Sequence, residues 1–278
     1  MNNSNHLIIA DGHVHIYDCF DIHKFFDAAW NNFFGQSKRM GFEKSFTGIL
    51  FLTESLNTNR FSEFLQVAHG VGKANSDLKD LKFQETKEDC SLRVLFGDER
   101  ELTLVAGRQI VSNQNLELLA LGITEHFGEG DSMEKIAEEI NRRGGIPIIP
   151  WGAGKWLGKR GKIVENLIFQ NNTSHLFLGD NGNRPYFWLK PLIFNKAKLQ
   201  GILNIPGSDP LPFDTETDKV GSFGFMVDGP LNSDKPFEDM KRKLLDSSTD
   251  IQFFGKLETS IRFFRNQVAM QLIKHKAE

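Results

Sequence analysis

The chain has 278 residues, 40% of them hydrophobic and 25% charged, which excludes a disordered or fibrous protein and suits one large α/β domain, expected to span 1–278. Lys and Arg number 33 against 36 Asp and Glu, a formal charge of −3, so general nucleic-acid binding is not expected, because it needs a basic surface to exchange for counterions. No apolar run of roughly 18 residues and no basic-then-apolar leader occurs, so no membrane span or secretory segment is expected and the cytoplasm is the default location; Cys19 and Cys90 alone exclude a disulfide framework or a four-thiolate zinc site.

In chain order, the short apolar run 7–10 ends at Asp11-Gly12 and predicts a buried strand. Residues 21–34 predict a helix, with Phe25, Ala29 and Phe33 on one stripe and Asp21 as its cap. A strand is predicted at 47–53 and a helix near 60–69. Residues 82–122 hold five strand-like runs joined by polar turns such as Gly97-Asp98, which predicts an antiparallel β insertion near 82–115 and then a core strand at 116–121. Next comes a helix capped at Asp131, with Met133, Ile136 and Ile140 as its apolar stripe and Gly144-Gly145 as its stop. Residues 146–150 read as a strand that Pro147 and Pro150 push toward a bent or edge position. Helices near 162–170 and 187–200 alternate with strands at 175–179 and 201–207. A helix near 236–246, a strand at 251–254 and a helix at 260–274 with Ile261, Phe264, Val268 and Leu272 in line complete the chain. Repeated βα units with polar clusters after the strands predict a (β/α) barrel with its functional groups at the carboxyl ends of the strands.

His13 and His15 lie two apart, so on a strand their side chains point the same way and both can reach one divalent cation; the bland reading is two packed strand-end histidines. Asp209, in Gly207-Ser-Asp-Pro-Leu-Pro212, reads either as a ligand or base for activated water or as an Asx turn before proline. The glycine-spaced run 154–162 carries Lys155, Lys159, Arg160 and Lys162 and suits a phosphate or carboxylate, or else is a solvated loop. Asp180 and Arg184 either pair with each other or leave Arg184 for an anion. Trp151 and Trp156 line a pocket or pack the core.

These segments resemble, in order, those of the polymerase and histidinol phosphatase (PHP) family of metal-dependent phosphoesterases. Asp11-Gly-His-Val-His15 is similar to the family's opening metal-binding motif. Ala106-Gly-Arg-Gln-Ile110 with Leu116–Gly122, Gly144–Trp151, and Gly207-Ser-Asp209 are similar to its later blocks. The resemblance implies a distorted (β/α)7-type TIM-like barrel. It also implies departures: Gln109 stands for a glutamate ligand, Glu117 for a histidine, and Trp151 and Leu211 for two more histidines. Trp and Leu cannot ligate a metal, so His13, His15, Asp209 and Glu117 are the surviving ligand candidates, for one divalent ion (Zn, Mn, Fe or Mg) or none if the site is degenerate. Asp209 and His15 are then the candidate catalytic groups, and Lys155, Arg160, Asp180, Arg184 and Trp151 the candidate contacts of an anionic small-molecule substrate. A binding-only descendant that has lost catalysis is the alternative. Asp-Gly-His-x-His with a late Gly-Ser-Asp-Pro also resembles the amidohydrolase superfamily, hydrolases and decarboxylases whose further ligands would come from His69, His126 or His175.

Overall fold

A computed structural model describes residues 6–71, 78–128, 130–169 and 175–277. Its strands form two sheets and no closed barrel, which corrects the (β/α)7-type expectation. The first sheet is built on β1 (Leu7–Val14), β2 (Phe46–Leu52), β3 (Leu81–Glu85), β4 (Ser91–Phe96), β5 (Arg100–Val105), β10 (Gly224–Asp228) and β11 (Ile251–Phe254), in the order β11-β10-β1-β2-β5-β4-β3. The second has the order β6-β7-β8-β9, from β6 (Gly107–Val111), β7 (Glu117–Leu121), β8 (Ile146–Pro150) and β9 (Phe177–Gly179).

Two features keep the barrel open. Residues 201–207 do not form the predicted strand; they make only isolated bridges, Leu178 to Asn204 and Asn181 to Gly207. Beside β1, where a closing parallel stave would lie, β10 runs antiparallel and extends the sheet outward to β11. The antiparallel segment expected near 82–115 is present, but within two open sheets rather than attached to a barrel. β3 and β4 pair antiparallel onto β5 and form one edge of the first sheet, while β6 starts the second.

The burial pattern of β1 explains the stacking. Every residue from Leu7 to Val14 is buried. With period two, Leu7 and Ile9 join the phenylalanines of α1 (Ile22–Met40) and α2 (Arg60–Ala68). Ile8 and Ala10 instead join Leu119, Leu121, Ile146 and Ile148 of the second sheet. The second sheet's other face packs on α3 (Met133–Arg142), α4 (Gly158–Phe169) and α5 (Leu192–Leu199) through Ile136, Ile140, Val164, Leu167 and Phe194. Sheet faces sheet, and helices cover both outer sides. Phe26 contacts Phe64, Phe83 and Phe96, and Phe64 stacks on Phe83 at 4.6 Å. Each such ring contributes roughly 1.5–3 kcal/mol by leaving water.

Local signals held in part. Asp21 caps α1, its carboxylate accepting from Lys24 N at 3.0 Å. The cap of α3 is Ser132 rather than Asp131. β8 is not an edge strand: it lies between β7 and β9. Its pairing with β7 covers 146–148 and with β9 covers 148–150. Trp151 N donates to Gly179 O, so odd-numbered positions face β9 and even ones β7. Pro147 therefore lacks its donor where β9 is absent, and Pro150 where β7 is absent. On α7 (Ser260–Ala277) the apolar line Ile261, Phe264, Val268 faces solvent. Among the described side chains of that helix the buried ones are Phe263 and Asn266, and Arg262 and Asn266 both bond the buried Glu216. Among the described residues no helix is long and apolar enough to cross a membrane.

Candidate metal centre

The site forms where β1 leaves its sheet. The register with β2 shifts between Asp11 and Val14, so three steps on β1 match two on β2, Leu50 to Leu52. Such a bulge re-aims the side chains that follow it. His13 and His15 then point to one side, both buried, with their Nε2 atoms 3.1 Å apart.

Asp209 arrives from the far end of the chain, and Asp11 brings it there. The Asp11 carboxylate, fully buried, accepts from Ser208 N at 2.8 Å, Ser208 Oγ at 2.5 Å, Gly221 N at 2.8 Å and His13 N at 3.2 Å. Burial pushes its carboxyl up to about 6, against the pull of those four donors. Gly207 allows the close approach: a Cβ there would lie 2.2 Å from His13 N. Asp209 has a left-handed backbone (φ 48°) and donates its N–H to His13 O at 2.8 Å. Its Oδ2 accepts from Asn181 Nδ2 at 2.9 Å. That leaves Oδ1 turned to the imidazoles, 3.5 Å from His13 Nε2 and 3.6 Å from His15 Nε2.

Two imidazole nitrogens and a carboxylate oxygen thus lie within 4.8 Å of one another, a donor set that suits a zinc-like or manganese-like ion. The electrostatics agree with ligation, which requires neutral imidazole and ionised carboxylate. Burial, and then the neighbouring His13, lower the His15 pKa to about 4. Burial works against ionised Asp209, but His13, His15 and Lys219 together hold its carboxyl below the usual range.

Gln109 on β6 takes the place of the expected glutamate, with Oε1 3.2 Å from His13 Nε2. Glu117 on β7 is not in the cluster; it forms an ion pair with Lys155, which occupies that lysine's charge. Asp180 and Arg184 are buried and spend their charges on each other, through two bonds of 2.7 Å, while Arg184 also holds Trp188 O. Arg160 donates to Gly154 O at 3.1 Å. Trp151 is buried, T-shaped against Trp188, and its carbonyl accepts from the same Asn181 amide that holds Asp209. His126 and His175 are exposed and His69 pairs with Glu85, so none of the amidohydrolase candidates reaches the cluster.

Three contributors were not singled out from the sequence. Asn181 orients Asp209. Asn183 donates to Asp209 O and is itself held by Lys219, which lies in a buried group with Glu216 and Glu258. Tyr17 continues the His-x-His alternation by one more step, its ring 5.4 Å from that of His15. Burial and the charges of Asp209 and Glu117 push its phenol far up, so Tyr17 stays protonated. The period-two spacing was the legible signal for it.

No family model and no curated protein matches the chain. Its fold is similar to the crystal structure of PsfC from Pseudomonas syringae PB-5123, with a TM-score of 0.52 and 14% identity over 98% of this chain and 99% of that one. It is also similar to the lesion-specific endonuclease PfuEndoQ from Pyrococcus furiosus, with a TM-score of 0.50 and 10% identity over 88% of this chain and 57% of that one. At these identities the likeness is one of fold.

Proposed function

We propose that the chain is a PHP-like metal-dependent hydrolase that holds one divalent ion at His13, His15 and Asp209 and acts on a phosphoester or related anionic small molecule. The observation that carries this reading is the convergence of the two Nε2 atoms and Asp209 Oδ1, with Oδ2 engaged by Asn181. The fold neighbour from Pyrococcus furiosus, an endonuclease, adds support for phosphoester hydrolysis.

A divalent ion held there by His13, His15 and Asp209 would supply Lewis acidity and would make water a competent nucleophile near neutral pH. The chain's residues do the rest. Asp209, ionised and fixed by Asn181, would hold the ion through Oδ1. His15 stays neutral and keeps its lone pair for ligation. Tyr17, protonated beside His15, donates a hydrogen bond to the developing negative charge. Lys155 turns from Glu117 to the substrate's anionic group.

The test is hydrolysis of p-nitrophenyl phosphate and bis-p-nitrophenyl phosphate by protein loaded with Mn or Zn. Metal-dependent turnover is expected, with a loss of at least 100-fold in Asp209→Asn. Absence of turnover with either metal supports the second reading, a binding-only descendant, which is favoured by Trp151 and Gln109 standing at ligand positions of the PHP pattern.

A further inference from the structure

Beyond the metal centre, a pocket of about 390 Å³ opens between the start of α4 and the segment 188–196. Its walls include Trp151, Trp156 and Trp188, together with Lys162, Lys196 and the glycines of the 152–161 run. The size is that of a small-molecule site, and three indoles give flat apolar walls, with Trp188 standing T-shaped to Trp151 at 5.6 Å. The polar end holds the Lys196–Glu165 ion pair, at 2.6 Å, and Lys162, whose positive charge is left over once that pair is formed. The first turn of α4 lines the same pocket through Gly158 and Gly161; the Gly161 N–H is bonded to Leu157 O at 3.4 Å, and Gly158, the first residue of the helix, has no intrahelical acceptor for its N–H. The Trp156 indole N–H, buried in the wall, has no hydrogen-bond partner among the described residues.

We infer that this pocket binds a small molecule that joins a flat aromatic ring to an anionic group, the ring between the indoles and the anion at Lys162 and the start of α4. The pocket is independent of the metal assignment, since none of the three ligands lines it. The two sites still share a support. Asn181 Nδ2 bonds both the Trp151 carbonyl and Asp209 Oδ2, so the pocket wall at Trp151 is one hydrogen-bonded residue away from Asp209.

The test is titration calorimetry with adenosine 5′-monophosphate and phenyl phosphate, alongside the half-ligands adenosine and inorganic phosphate, with tryptophan fluorescence as a second readout. At least one of the two joined compounds is expected to bind and to change the fluorescence, at least tenfold more tightly than either half-ligand. Lys162→Ala, a surface change that leaves the core intact, and Trp188→Leu should each weaken that binding at least tenfold. Binding of the nucleotide alone identifies a nucleoside-type ring, and binding of phenyl phosphate alone a simple aryl ring. His13→Ala should leave the affinity unchanged, so failure of the metal reading and failure of the pocket reading are separable. No binding of either compound at millimolar concentration, or binding indifferent to Lys162→Ala, overturns the proposal.

Discussion

At the candidate metal centre, segments more than 90 residues apart in sequence meet under buried polar bonds: β1, Gln109 of β6, and Ser208-Asp209. Around the tryptophan pocket, the walls come from 151–165 and 188–196 alone, with glycines at 152, 154, 158 and 161 among them. The first site is over-determined. Asp209 is fixed through its backbone by His13 and Asn183 and through its side chain by Asn181. The second leaves an indole donor unpaired and Leu157 and Leu192 exposed. Pre-organised ligands suit a metal ion, which tolerates little misplacement; an open apolar pocket suits a ligand that completes its own surroundings.

This contrast breaks first at the struts. Arg184→Ala leaves Asp180 buried without its partner, and a stability loss of about 3–5 kcal/mol is expected in urea unfolding. A change within about 0.5 kcal/mol, the usual size for an unconstrained surface position, would instead return Arg184 to the role of a substrate contact. Asp11→Ala strands the amides of Ser208 and Gly221, at an expected cost of about 2–3 kcal/mol, and should abolish metal binding although Asp11 is no ligand. Retained metal affinity in that variant would mean that Asp209 finds its place without Asp11.

The pH dependence of the metal-free protein sharpens the comparison further. His15 binds its proton near 6.5 when unfolded and only near 4 when folded. The unfolded state therefore holds more protons between these values, and stability falls as pH drops from 6.5 to 4. Asp11 acts oppositely, its carboxyl staying protonated up to about 6 in the folded state against 3.8 unfolded. The measurement is therefore a pair of melting curves, wild type and His15→Asn; the variant should lose less stability than wild type over that range. The smallest effect is expected at Asp21→Ala, which removes the α1 cap for about 1 kcal/mol and should leave both metal and pocket binding unchanged.

Much of the site was legible because its chemistry is local. His13 and His15 follow a strand period, and Asp209 stands in a Gly-Ser-Asp-Pro turn; Tyr17, one step further along the same period, was not singled out. Asn181 was not legible: within Asp180-Asn-Gly-Asn-Arg184 nothing distinguishes the amide that reaches Asp209 from its neighbours. Glu117 lies close enough for its charge to act on Tyr17, but it is paired with Lys155 and stands outside the group formed by His13, His15 and Asp209. The same limit applies to the fold. Alternation of strands and helices predicted the elements, but β10 was missed behind Gly221 and Gly224, and its antiparallel return beside β1 is a long-range pairing that no local period encodes. The α7 stripe shows the converse, where periodicity was read correctly but the described buried side chains, Phe263 and Asn266, lie off the stripe, and Arg262 and Asn266 bond Glu216.

Elemental analysis of the untagged protein after incubation with Zn or Mn and desalting, wild type beside His13→Ala, tests the metal centre most directly. One equivalent in wild type and none in the variant is the predicted result. No bound metal in wild type, or an equal amount in His13→Ala, would contradict the assignment of His13, His15 and Asp209 as its ligands.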